Sequence, residues 1–217
     1  AIVAYPDSEK KWEGNLIMVT REGVIKKTAL EDFRNIRKNG IIAIALKKGD
    51  ALMGVKLSSG KDEVVVTTAK GQAIRFKESQ ARPMGRNASG IRAIKVKKGD
   101  RVAGFGIITE EAAKDKEKPL TLLVVMVNGF AKQTSMKEYK LQHRGGSGIR
   151  TANITAKTGE LIAAEIIGGE TEILALSAKG QVIRTELSSV RHTGRAAQGV
   201  KIMNLRPGDR LAGVVIM

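Results

Sequence analysis

EVVVTTAKGQAIRF, residues 63–76, contains the pattern from which the fold of this chain can be predicted. The first six of these residues include a β-branched run, which favours an extended strand. Gly71 provides the positive φ angle that a tight turn needs, and the residues after it return as a second apolar strand. This pattern is typical of a β-hairpin and indicates a protein built from short antiparallel strands.

The turn glycine of this hairpin recurs along the chain. It stands at Gly23, Gly71, Gly129 and Gly180, in steps of 48, 58 and 51 residues. A second glycine keeps the same phase at Gly40, Gly90, Gly148 and Gly199. Two markers in register indicate four similar units. Periods near 50 residues with several short strands per unit are typical of propeller-like arrays.

Each unit is expected to form one small antiparallel sheet of four strands. In the second unit, the hairpin is followed by a polar loop, an alternating apolar and basic strand at 91–96, a Gly99-Asp100 turn and a last strand at 102–108. The predicted fold class is therefore all-β, with about four four-stranded blades in a propeller-like array. We expect one domain over residues 1–217, with repeat units at roughly 7–57, 58–108, 109–167 and 168–217.

Three further segments do not follow the repeated pattern of strands. AIVAYP, residues 1–6, resembles the last strand of each unit, so we expect it to belong to a preceding unit; the alternative is a strand that closes a ring. Residues 109–118, TEEAAKDKEK, predict a charged surface loop that lengthens the third unit. Residues 30–38 predict a short helical turn.

The composition points to a polyanionic partner. The 217 residues carry a net charge of +16, which opposes compaction and favours binding to nucleic acid. There is no cysteine, which excludes disulfides and thiol chemistry, and we expect no metal and no cofactor. The chain has no apolar run of membrane-spanning length, which favours a cytoplasmic protein with no membrane partner. We also expect no small-molecule substrate.

Basic residues recur at fixed phases of the repeat. One set lies three or four positions after the turn glycine: Lys26, Lys27, Arg75, Lys132 and Arg184. The other follows the pattern Arg-x-x-x-Gly-[Ile/Val]-[Arg/Lys], at Arg86 and Arg92, at Arg144 and Arg150, and at Arg195 and Lys201. Equivalent positions in successive blades lie on the same side of an array. We therefore expect a basic stripe around the rim that suits the backbone of bent duplex DNA.

Aromatic residues make up only 3% of the chain, too few for the stacking platforms of single-strand or RNA readers. Two other function classes stay open beside duplex binding. One is a basic propeller-like module for protein interaction. The other is an enzyme using Ser147 beside His143, although no orienting acid stands at motif spacing. We assign no catalytic residue.

Three strings resemble successive blades of the C-terminal domain of the A subunit of bacterial DNA gyrase, or of its topoisomerase IV paralogue. They are GVIKKTALEDF (23–33), RFKESQARPMGRNASGIRAI (75–94) and SSVRHTGRAAQGVKI (188–202). The resemblance covers essentially the whole chain. It implies a β-pinwheel, commonly of about six blades, whose neighbours exchange a strand; residues 1–6 would then be the exchanged strand of a further blade.

The resemblance also implies a function. The domain would wrap double-stranded DNA without catalysing a reaction itself, in support of ATP-dependent supercoiling by a type II topoisomerase. Its partners would be the gyrase B subunit with the remainder of the gyrase A subunit, in the bacterial nucleoid. The topoisomerase IV counterpart, with weaker wrapping, is the alternative within this family.

Residues 142–148, QHRGGSG, resemble the gyrase box Gln-Arg-Arg-Gly-Gly-[Lys/Arg]-Gly. They depart from it at His143 and Ser147, and they lie in the third unit rather than the first blade. A functional box and a degenerate blade loop are both consistent with this. The residues expected to bind DNA are Lys26, Lys27, Arg34, Arg37, Lys38, Arg75, Lys77, Arg82, Arg86, Arg92, Lys132, Lys140, Gln142, His143, Arg144, Gly145, Gly146, Gly148, Arg150, Arg184, Arg191, Arg195 and Lys201.

Overall fold

Short antiparallel strands dominate the computed structural model, which describes residues 13–35 and 38–217. In chain order the strands are β1 (Asn15–Thr20), β2 (Val24–Ala29), β3 (Leu52–Ser58), β4 (Glu63–Thr68), β5 (Gln72–Lys77), β6 (Ile91–Arg92), β7 (Val102–Ile108), β8 (Thr121–Met126), β9 (Phe130–Ser135), β10 (Ile149–Arg150), β11 (Leu161–Ile167), β12 (Glu172–Ser177), β13 (Val182–Glu186), β14 (Val200–Lys201) and β15 (Leu211–Ile216). The helices are α1 (Glu110–Lys114) and four single-turn 3-10 helices at Leu30–Phe33, Glu78–Gln80, Met136–Glu138 and Leu187–Ser189.

The strands form four antiparallel sheets, which we number as blades 1 to 4. Their strand orders are β3-β1-β2-β6, β10-β5-β4-β7, β11-β8-β9-β14 and β13-β12-β15. Each blade is built on one of the hairpins that the turn glycines predict. The expectation of an all-β protein with four blade-like sheets is therefore confirmed.

Neighbouring blades exchange a strand, and the exchanged strand is the short third one of the second, third and fourth units. β6 follows the second hairpin yet pairs with β2 of blade 1, through Ile91 opposite Ile25. β10 and β14 join the preceding blades in the same way. The prediction that each unit forms its own sheet is thus wrong, because the polar loop after each hairpin carries the chain back across the blade junction.

The last strand of each unit stays in its own blade. β3, β7, β11 and β15 pair within blades 1, 2, 3 and 4. This corrects the interpretation of a last-strand segment as the exchanged element. Residues 1–6, to which that interpretation applied, lie outside the described residues.

In the part of the chain that the structure describes, six of the eight repeated glycines lie against a neighbouring unit, and the exceptions are Gly40 and Gly180. A Cβ atom on Gly129 would lie 2.5 Å from the carbonyl oxygen of Met203, and one on Gly148 would lie 2.5 Å from that of Ala73. Both glycines also have positive φ angles, 84° and 70°. Only glycine fits such positions, because any side chain would meet both the strained backbone and the neighbouring blade.

Contacts between the last strands distinguish the centre of the array from its outer edge. β3, β7, β11 and β15 contact one another in succession, so the last strands line the centre. Gly104 of β7 lies against Ala164 of β11, with no room for a Cβ atom. β6, β10 and β14 occupy the opposite edge of their sheets. The basic residues that end these short strands therefore lie at the outer edge.

Two smaller elements differ in detail from the sequence expectations. The 109–118 segment contains the short helix α1, which begins where the Thr109 hydroxyl accepts a hydrogen bond from the amide of Ala112. The predicted helical turn near residue 30 is a 3-10 helix that ends at Phe33, with Leu30 and Phe33 buried. Within the described ranges, no helix is long and apolar enough to cross a bilayer.

Candidate nucleic-acid interface

Arg75, a predicted rim residue, instead joins two blades. Its Nη1 donates to the carbonyl oxygens of Met136 and Tyr139, at 2.9 and 3.1 Å, in the 3-10 turn of the next unit. Its Nη2 lies 2.6 Å from Glu63 Oε2 on the partner strand, and both side chains are largely buried. The guanidinium group therefore bonds to other parts of the protein and does not face a ligand.

The equivalent residues of the first and third units make the same kind of contact. Gln133 Nε2 donates to the carbonyl oxygens of Leu187 and Val190, at 2.7 and 3.1 Å. Lys27 Nζ lies 3.4 Å from Glu78 Oε1, in a pair whose side chains are 6% and 0% exposed. Four positions after a turn glycine, the side chain thus holds the following blade.

One position earlier, two lysines hold the loops that carry the arginine motif. Lys132 Nζ donates to the carbonyl oxygens of Gly194 and Arg195, at 2.8 and 2.6 Å. Lys26 donates in the same manner to the carbonyl oxygen of Arg86. Burial lowers the pKa of Lys132 to about 8 and also lowers the pKa of Lys26, because both ammonium groups are removed from water.

These positions correct part of the predicted stripe. Lys26, Lys27, Arg75 and Lys132 lie in the blade junctions and not on the outer edge. The physical reason is that β2, β5 and β9 are each covered by the loop of the following unit. Side chains that would otherwise face solvent therefore meet backbone carbonyl groups.

Replacing Arg75 with alanine should lower the free energy of unfolding by about 2 kcal/mol, because two carbonyl bonds are lost and Glu63 keeps no partner. Arg184 is the matched control. Its Nη2 lies 2.6 Å from Glu172 Oε2 in the same cross-strand arrangement, but its side chain is 66% exposed and its guanidinium donates to that carboxylate rather than to another blade. Arg184→Ala should cost much less than Arg75→Ala, because water and salt screen an exposed ion pair. Urea denaturation measures both, and equal losses would contradict the junction role.

The cations of the arginine motif lie at the outer edge, and two of them bond to the backbone of the motif residue in the preceding unit. Arg92, Arg150 and Lys201 are exposed on β6, β10 and β14. Arg144 Nη1 donates to the carbonyl oxygen of Arg92. Arg195 Nη1 donates to that of Arg150, at 3.3 Å. We call Arg86, Arg92, Arg144, Arg150, Arg195 and Lys201 the rim row.

The box-like segment at 142–148 is seated on the preceding blade. The amide of Gly145 donates to the carbonyl oxygen of Ala93 at 2.7 Å, with φ at 86°. Arg144 bonds to Gln80 through its own amide, at 2.7 Å, and through Nε, at 3.2 Å. His143 and Ser147 remain exposed. The loop is thus held by its backbone amides and by the Arg144 side chain, and this fixes Arg144 in the rim row.

The predicted DNA-binding residues differ in how exposed they are. Gln142 is half-buried, as are Arg86, Arg144, Arg195, Gly145 and Gly148, whereas Gly146 is exposed. Exposed cations outside the row are Arg34, Lys38, Lys77, Arg82, Lys140, Arg184 and Arg191. Arg37 lies outside the described residues.

Sequence reasoning missed a second set of exposed cations. They stand in the hairpin turns and in the turns before the last strands: Lys47, Lys48, Lys70, Lys97, Lys98, Lys157, Lys179 and Arg206. The repeated string KKGD at 47–50 and 97–100 is the signal that would have found them. We call these eight residues the turn row.

The family profile described as DNA gyrase C-terminal domain, beta-propeller, matches residues 14–59, 62–109, 127–167 and 171–216. The chain belongs to this DNA gyrase C-terminal domain family. The DNA gyrase A subunit of Staphylococcus epidermidis strain ATCC 12228 is 37% identical over 213 residues, covering 98% of this chain and 23% of the relative. The DNA gyrase A subunit of Staphylococcus aureus strain MRSA252 is 35% identical over 204 residues, covering 94% and 22%. The chain thus spans about a quarter of these relatives.

Solved structures agree with the gyrase family assignment. A structure of a DNA gyrase A C-terminal domain superposes with a TM-score of 0.82 and 26% identity, over 95% of this chain and 66% of that one. The C-terminal domain of a DNA topoisomerase IV superposes with a TM-score of 0.88 and 22% identity, over 98% and 64%. The second likeness shows the fold alone. The resemblance drawn from the repeated strings is confirmed.

Proposed function

We propose that this gyrase-family domain binds duplex DNA along its outer edge and bends it, without catalysing a reaction itself. The observation that carries the proposal is that arginine side chains of the motif bond to the backbone of the motif residue in the preceding unit. Arg144 reaches the backbone of Arg92, and Arg195 reaches that of Arg150. Cations that recur blade by blade form a track for a phosphate backbone.

The energetics are favourable for bending. Bending 20–30 base pairs by 40–90° costs on the order of 1–6 kcal/mol. About 6–10 phosphate contacts would offset this cost, and they would make affinity fall about 10³–10⁵-fold between 50 and 200 mM salt. The exposed cations beside the rim row, such as Arg82, Lys140 and Arg191, extend the proposed interface. Residues 1–217 would act as one domain.

The setting of the domain follows from its family and is also proposed. The domain would serve a type II topoisomerase in ATP-dependent supercoiling, and its partners would be the gyrase B subunit with the remainder of the gyrase A subunit. It would act in the bacterial cytoplasm on nucleoid DNA and would need no cofactor. The segment at 142–148 would act through Arg144 and its glycines, since His143 and Ser147 carry no fixed positive charge.

The test compares duplexes of 20 and 100 base pairs at 50, 100 and 200 mM salt. We expect the longer duplex to bind more tightly than its larger number of sites explains, because wrapping requires length, and we expect a steep salt dependence. Religation of nicked plasmid bound to the protein should trap a change in linking number. A protein-interaction module would show no preference for length and no trapped change, and that result would overturn the proposal.

A further inference from the structure

The turn row is held in place by the acidic residue of each Gly-Asp turn. The amide of Lys70 donates to Asp100 Oδ1 at 2.9 Å, and the amide of Lys179 donates to Asp209 Oδ1 at 3.0 Å. The amide of Glu22 donates to Asp50 Oδ1 at 3.0 Å in the first unit. The hairpin turn and the turn before the last strand are therefore tied side by side in three of the four units.

The charged ends of the turn row remain available to a ligand. All eight side chains are exposed, and within residues 13–35 and 38–217 no carboxylate lies within 4 Å of their charged nitrogens. Lys179 Nζ bonds to the carbonyl oxygen of Pro207, at 3.1 Å, which orients the ammonium group without neutralising it. Backbone ties thus hold cations whose charge is unpaired.

The turn row borders the rim row. In blade 1, one surface cleft is lined by Lys47, Lys48 and Arg92, together with Glu22 and with Asp50, whose Oδ1 accepts a hydrogen bond from the Glu22 amide. In blade 3, the ring of Phe130 has Lys157 Nζ at 5.6 Å and Lys201 Nζ at 5.8 Å from its centroid. At each of these two places, a cation from a turn and a cation from an exchanged strand face the same small region. The rows therefore run beside each other.

We propose that the turn row is a second phosphate-binding site, which contacts the second strand of the duplex whose first strand lies on the rim row. This inference rests on the proposed function, since it takes duplex DNA as the ligand. A duplex that bends around a protein turns its minor groove inward once per helical turn, and that groove, about 6 Å wide, has a phosphate strand on each side. Two neighbouring rows of cations match two phosphate strands, whereas one row neutralises only one.

The test removes three turn-row charges from one unit, in the variant Lys70→Gln/Lys97→Gln/Lys98→Gln. The matched control, Lys114→Gln/Lys116→Gln/Lys118→Gln, removes three exposed charges from α1 and the segment after it. With a 100-base-pair duplex, the turn-row variant should lower the slope of log affinity against log salt by about 3, and the control should leave it nearly unchanged. Phosphate ethylation interference should show contacts on both strands for the unaltered protein, and the variant should lose those on one strand.

Each result leads to a decision. A turn-row variant that behaves as the control does, while the unaltered protein keeps a steep salt slope, overturns the second row and leaves the proposed function intact. Equal loss of phosphate contacts on both strands would also overturn the second row, because the turn row would then not be specific to one strand. A shallow slope and no length preference for the unaltered protein would overturn the proposed function itself. Matching circular dichroism spectra of the two variants would show that folding does not explain the difference.

Discussion

Gly129→Ala is expected to lower the free energy of unfolding by about 3 kcal/mol. A methyl group there would lie 2.5 Å from the carbonyl oxygen of Met203, which belongs to the backbone and is not free to rotate away. Overpacking of this kind costs about 1–3 kcal/mol, and the φ angle of 84° adds about 1 kcal/mol for a residue other than glycine. The loss would fall on the junction between blades 3 and 4.

The chain supplies a control for the backbone part of this effect. Gly180 has the same φ angle of 84°, but a Cβ atom there would meet no described heavy atom within 4 Å. Gly180→Ala should therefore cost only about 1 kcal/mol. Urea denaturation of both variants gives the difference directly. If the two losses were the same, packing between blades would not explain the need for glycine at position 129.

The triple variant Arg92→Gln/Arg150→Gln/Lys201→Gln is expected to weaken duplex binding more than any change in the junctions. The three side chains end the exchanged strands and are exposed, so their removal should disturb folding little. Each lost phosphate contact lowers the salt slope by about 0.9. Three lost contacts lower the slope by about 2.7. Relative to 1 M salt, where the electrostatic contribution vanishes, this reduces affinity about 10²–10³-fold at 0.1 M salt.

The control for this variant is the triple substitution at Lys114, Lys116 and Lys118, which changes the net charge by the same amount. Fluorescence anisotropy with a 100-base-pair duplex, repeated at several salt concentrations, measures both the slope and the affinity. A rim-row variant with the slope of the unaltered protein would remove the exchanged strands from the interface. Equal losses in the variant and the control would show that only overall charge matters.

Much of the fold could be predicted because the signals are local and repeat. A β-branched run followed by a turn glycine forms a hairpin wherever it occurs, and Gly71 illustrates this. The pattern that ends in Arg92, Arg150 and Lys201 also led correctly to the outer edge, since each short strand pairs a half-buried apolar residue with an exposed cation. Such features depend on neighbours within a few residues, which the sequence supplies directly.

Other features could not be predicted, because residues far apart in the chain decide them. Arg75 has the same period as the rim cations, yet its guanidinium is held by the carbonyl groups of Met136 and Tyr139, more than sixty positions away. Nothing near Arg75 in the sequence indicates that another unit covers it. The turn row was missed for a related reason, since lysines at turns are commonly solvated surface charges until a second row is found beside them.

The amino-acid sequence alone was sufficient for the hairpins, their number and the excess of positive charge, since turn geometry and composition need no distant partner. Which strand crosses to the neighbouring blade, and which cations reach solvent, was decided only when the units packed together. The reason is physical: a glycine or an arginine acquires its role from the backbone carbonyl groups that the next blade brings against it, and that contact exists only in three dimensions.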